Sequence, residues 1–95
     1  MTQCNVVAIF KPKAEFADEV RALLSEVAVE VRTEIGCVFY DLFQEVDGRL
    51  WFIEAWTSRE LWDAHNAAPS VARITAGIEG KLEEPVSVHE MYLTN

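Results

Sequence analysis

Apolar and polar residues change period several times along the chain, and each change marks an element. Residues 4–10, CNVVAIF, are apolar throughout except at Asn5. The run is too short for a stable helix and rich in β-branched residues, which predicts a strand buried on both faces. Lys11-Pro12-Lys13 ends it, because proline cannot donate to a ladder. Over residues 14–34 the period becomes helical, with Phe16, Val20, Leu23, Leu24, Val27 and Val31 on one stripe. Glu15, Asp18 and Glu19 sit in its first turns, where the macrodipole favours acids, and Gly36 stops it. Residues 37–46 and 49–57 read as strands joined by Asp47-Gly48, a two-residue type I′ hairpin signal. Such a turn sets Phe43 opposite Phe52, Asp41 opposite Glu54 and Phe39 opposite Trp56. Thr57 with Glu60 fits a capping box for a short helix whose inward stripe is Leu61, Ala64, His65 and Ala68. Pro69 suits the first turn of another helix, striped by Val71, Ile74, Ile78 and Leu82. Residues 86–93 close the chain as a strand.

The order β-α-β-β-α-β with right-handed crossovers implies an α+β, ferredoxin-like fold over one domain, residues 1–95. It is a four-stranded antiparallel sheet with the third strand between the first and second. Helices cover one face only, yet both faces of the second and third strands are apolar. A second sheet against the bare face resolves this. The expectation is a homodimer whose two sheets close a barrel-like core.

Composition supports a covering partner. Of 95 residues, 51% are hydrophobic and 11% aromatic, while a lone chain of this length buries only about 60–65% of its unfolded surface. Sixteen acids against eight bases give a net charge of −8, which argues against nucleic acid and against anionic membranes as partners. There is no apolar run long enough to span a bilayer and no leader pattern. Cys4 and Cys37 lack metal-ligand spacing and fall on strands that are not neighbours, so no disulfide and no metal are expected. Two lone thiols fit a cytoplasmic location.

No phosphate loop, dinucleotide fingerprint, nucleophile elbow or zincin motif is present. His65 lies on the apolar stripe of a helix, where it serves either as a proton-transfer group or as a core histidine bonded to a carbonyl. Trp56, nine residues earlier, reads as a pocket wall for a flat ligand or as plain core. Asn5 needs a hydrogen-bonding partner or a ligand if buried, or lies solvated at a strand end. Asp41 and Glu54, directly opposed, would force one to hold a proton unless Arg49, Arg73 or water relieves them. Tyr40 and Tyr92 offer phenols.

The segments VVAIFKPK, EIGCVFYDLFQ and FIEAWTSRELWDAHNAAPSV, with a last strand after Glu84-Pro85-Val86, resemble the antibiotic biosynthesis monooxygenase family over nearly the whole chain. The resemblance implies a dimeric α+β barrel with a pocket between sheet and helices. It further implies oxygenation of small phenols, anthrones or hydroquinones without metal or flavin. Haem-degrading relatives use an Asn on the first strand, a Trp on the third and a His on the next helix, positions analogous to Asn5, Trp56 and His65. These three are the expected catalytic set. Tyr40, Glu54, Phe39 and Leu61 are expected against the substrate. Two departures stand out: Ala68-Pro69-Ser70 replaces the family's frequent Ser-Pro-His, and Phe39 replaces a frequent polar residue. The leading expectation is a cofactor-free monooxygenase acting on a small aromatic hydroxyl compound. The alternatives are an isomerase or lyase, a haem-binding or haem-degrading protein, and a non-catalytic dimer.

Overall fold

The computed structural model describes residues 2–95. β1 (Cys4–Phe10) leads through a 3-10 turn at Ala14–Phe16 into α1 (Ala17–Val31). β2 (Cys37–Gln44) and β3 (Leu50–Trp56) follow, then α2 (Arg59–Asn66), α3 (Pro69–Ile78) and β4 (Ser87–Met91). The antiparallel sheet has the order β2-β3-β1-β4, the ferredoxin-like arrangement expected from the pattern. Val20, Leu24, Val27 and Val31 of α1 and Ile74 of α3 pack on Val6, Phe10, Leu50, Phe52 and Trp56 of the sheet.

The β2–β3 hairpin departs from expectation. A type I′ turn needs positive φ at both Asp47 and Gly48, and among the described residues no non-glycine adopts it. Only Gly48 does, with φ 99°. The loop instead spans Val46, Asp47 and Gly48, closed by Glu45 N–H donating to the Arg49 carbonyl at 2.7 Å. Asp47 Oδ1 accepts from the Arg49 amide at 3.1 Å and holds that form. One extra loop residue shifts the register, so Tyr40, not Asp41, faces Glu54, and Phe39 faces Ala55 rather than Trp56. A bulge between Cys37 and Phe39 then sets Cys37 opposite Trp56.

The shift sorts the side chains. Tyr40 and Leu42 share the helix-covered face with Phe52, Glu54 and Trp56. Phe39, Asp41 and Phe43 share the outer face with Trp51, Ile53 and Ala55. Asp41 and Glu54 therefore lie on opposite faces, and Asp41 pairs with Arg32 at 3.4 Å instead of Arg49 or Arg73. β1 is likewise buried on one face only: Cys4, Val6, Ala8 and Phe10 are covered, whereas Asn5, Val7 and Ile9 are half-buried.

Boundaries move elsewhere for local reasons. α1 stops at Val31, leaving residues 32–36 as a turn. The cap of α2 is Ser58, not Thr57: the Ser58 hydroxyl accepts from the Leu61 amide at 3.3 Å. α3 begins at Pro69 as expected but ends at Ile78, and Leu82 instead bridges to Pro12.

Candidate functional site

The site grows from the turn after α1. Gly36 has φ 89°, and a Cβ there would lie 2.5 Å from Leu61 Cδ1. Only glycine fits, so the turn lies directly on α2, fixed further by the Thr57 amide donating to the Gly36 carbonyl at 2.9 Å. This brings Glu34 to the junction of α2 and α3. Its Oε1 meets His65 Nδ1 at 2.8 Å, and its Oε2 accepts from the Ser70 hydroxyl at 2.5 Å. Ser70 is fully buried in the first turn of α3, where the helix dipole also favours the Glu34 carboxylate.

A carboxylate accepts and cannot donate, so the neutral imidazole carries its proton on Nδ1 and keeps a lone pair on Nε2. The ring itself is gripped. Trp56 stacks on it at 4.5 Å between centroids with a 27° tilt, and Tyr40 meets it edge-on at 5.5 Å. Trp56 Nε1 donates to Glu54 Oε1 at 2.8 Å.

His65, Tyr40 and Glu54 line a chamber of about 230 Å³ between the sheet and α2–α3. The rest of its wall is mostly apolar, with Val6, Phe52, Val71 and Ile74 among its members. Each of the three polar residues is at most 5% exposed. Among the described residues, none of His65 Nε2, Tyr40 Oη and Glu54 Oε2 has a protein partner, and none is sealed from solvent. Burial pushes Glu54 up to about 7; the Trp56 N–H opposes that rise and the Glu34 charge adds to it. Burial first, then the charges of Glu54 and Glu34, drives the Tyr40 phenol far above its ordinary range, so it stays protonated and donates.

The structure gathers part of the expected set and disperses the rest. His65, Tyr40 and Glu54 converge. Trp56 is fully buried behind His65 and does not wall the chamber; its N–H serves Glu54 rather than a ligand. Leu61 packs on Gly36, away from the chamber. Asn5 and Phe39 lie on the outer face. The Asn5 amide bonds to Gln3 and reaches the Met91 carbonyl at 3.4 Å. Asn5, Trp56 and His65 consequently do not meet around one cavity in this chain. Among the described residues no group of three or more His, Cys, Asp or Glu is placed to hold a metal ion.

The antibiotic biosynthesis monooxygenase family model matches residues 4–77. The chain belongs to this family. It is 34% identical over 84 residues to "Putative monooxygenase Rv0793" of Mycobacterium tuberculosis, covering 87% of this chain and 83% of that protein. The structure of Rv0793 superposes with a TM-score of 0.93 at 30% identity over 99% of this chain and 97% of that one. A crystal structure described as an antibiotic biosynthesis monooxygenase gives 0.90 at 30% identity over 97% and 99%. PA3566 of Pseudomonas aeruginosa, at 23% identity over 100% and 97%, shares the fold with a TM-score of 0.91.

Glu34 and Ser70 escaped the sequence reading of this family member. The available signal was chemical: a histidine on an apolar stripe needs a partner for one nitrogen. Ser70 in turn holds that partner, donating to Glu34 Oε2.

Proposed function

We propose that the chain is a cofactor-free monooxygenase that oxygenates a small aromatic hydroxyl compound in the chamber. The observation that carries this reading is the gathering of His65, Tyr40 and Glu54, each with a polar atom free of protein partners, around one mostly apolar space. A substrate hydroxyl gives its proton to His65 Nε2, and Glu34 stabilises the resulting imidazolium. Tyr40 donates to the substrate oxyanion. The anion passes one electron to O₂; the carbon radical and superoxide combine to form a C–O bond. The carbon's hydrogen then passes as a proton to the distal peroxide oxygen as the O–O bond breaks. A carbonyl remains, and the departing hydroxide takes a proton from His65 and leaves as water. The substrate loses four electrons and O₂ gains four, so no external reductant enters. The dry wall keeps water away from the radical pair.

The family kinship and the exposed outer face support a homodimer closing a barrel between two sheets. Phe43 is 54% exposed, Met91 43% and Ile53 37%, an apolar set of the kind that marks interfaces. The free thiols Cys4 and Cys37 favour a reducing cytoplasm. No described helix is long and apolar enough to cross a membrane.

Oxygen uptake with a panel of hydroquinones and anthrones tests the reading. Uptake dependent on substrate, cut about 100-fold or more by His65→Ala, is expected. No uptake with any member, or full activity in His65→Ala, contradicts it.

A further inference from the structure

We infer that the chamber and the groove beside α3 form one continuous site, taking an uncharged aromatic hydroxyl compound with its ring in the chamber and an alkyl tail in the groove. This rests on the chamber being an aromatic-hydroxyl site, and it adds a second subsite and a charge rule.

The groove, about 940 Å³, runs between α3 and residues 79–86. Asn66, Val71, Thr75, Ile78 and Val86 line both spaces, so the two adjoin along α3. Size divides the labour. A cavity of about 150 Å³ accommodates benzene, so about 230 Å³ holds one or two rings and little more. Anything longer must extend beyond the chamber, and the groove adjoins it on the α3 side. The groove floor is Ala68, the N-cap of α3, with Ala72 and Ala76 at four-residue spacing along the helix, and Leu82 and Pro85 opposite. Methyl groups without an aromatic platform suit a flexible alkyl chain better than a further ring. The far wall is held in place: the Lys13 amide donates to the Lys81 carbonyl at 2.9 Å, and the Glu83 amide to the Lys11 carbonyl at 2.8 Å.

Small residues alone make no site. Here they adjoin Tyr40, His65 and Glu54, each at least nine-tenths buried, each with a polar atom that has no protein partner and still reaches solvent. Asn66, an exposed residue, lines both spaces where they adjoin.

Charge supplies the rule. No Lys or Arg lines either space, whereas Glu79, Glu83 and Glu84 line the groove. Nearby cations are engaged: Lys11 with Glu84 at 3.9 Å, Lys13 with the Gly80 carbonyl at 3.0 Å, and Lys81 with Glu19. Glu84 is paired with Lys11, but a ligand carboxylate would still face Glu79 and Glu83 with no free cation along the groove among the described residues.

Calorimetric titration without oxygen tests this with 2-naphthol, 6-hexyl-2-naphthol and 6-hydroxy-2-naphthoate, so that turnover plays no part. The hexyl compound should bind about tenfold tighter than 2-naphthol, and the carboxylate about tenfold weaker. Ala76→Phe, on the exposed side of α3, should abolish the gain from the tail and leave 2-naphthol unchanged; Ala72→Phe on the same row is the second probe. Equal binding of tailed and untailed compounds, a gain that survives both substitutions, or carboxylate binding as tight as that of 2-naphthol overturns the inference. If 2-naphthol binds and the tail adds nothing, only the groove is lost. If 2-naphthol itself does not bind, the aromatic-hydroxyl reading falls first.

Discussion

Glu54, at 4% exposure, is held by one N–H bond against a strong cost of ionisation. Its ordinary value is 4.5 and its folded value about 7. Below about pH 4.5 both folded and unfolded chains carry the proton, and no penalty exists. Between there and about 7 only the folded chain keeps it, so stability falls as pH rises through this window. The full penalty, about 3 kcal/mol, applies above it. Glu54→Gln keeps an acceptor for Trp56 and removes the ionisation. Its melting temperature at pH 8 should exceed that of the native chain, with the gap closing towards pH 4. Parallel stability curves for the two proteins would refute the assignment. Ser70→Ala should cost about 1.5–3 kcal/mol in urea titrations, since the bond from a buried hydroxyl to a partly buried charged group is lost. A cost near zero would mean that Glu34 is satisfied without Ser70.

At the level of elements, caps and turns discriminate between closely spaced residues. Ser58→Ala should lose about 1 kcal/mol of stability, while Thr57→Ala stays within about 0.5 kcal/mol. The reverse order would restore the capping box. Gly48→Ala meets open space and should cost about 1–2 kcal/mol for its backbone alone, whereas Gly36→Ala adds a collision with Leu61 and should cost more. Equal losses would mean that Leu61 yields freely. These positions also show what the sequence could reveal. The element order and strand order followed from period and crossover handedness, and so did the helix-facing stripe. The hairpin register did not, because it turns on the φ of Asp47, which the alternation of side chains does not report. One residue of slip was enough to place Phe39 beside Trp56 and Asp41 beside Glu54. His65 was visible from its place on an apolar stripe. Glu34 was not, since its contact with His65 spans 31 residues and depends on Gly36.

For the whole molecule, an outer sheet face carrying Phe39, Phe43 and Ile53 at 37–54% exposure calls for a covering surface. Sedimentation velocity at micromolar concentration should report two copies, and Ile53→Asp should shift the chain to one while leaving its circular dichroism unchanged. A native chain that sediments as a single copy would remove the barrel from the account. In the proposed dimer the chamber lies on the face away from the paired sheets, one chamber to each copy. Its chemistry is tested most directly by turnover of a hydroquinone under ¹⁸O₂ with mass analysis of product and water. One labelled oxygen atom in each product molecule and one in water is the expected result. An unlabelled product, or product formed equally well without oxygen, would contradict the monooxygenase reading.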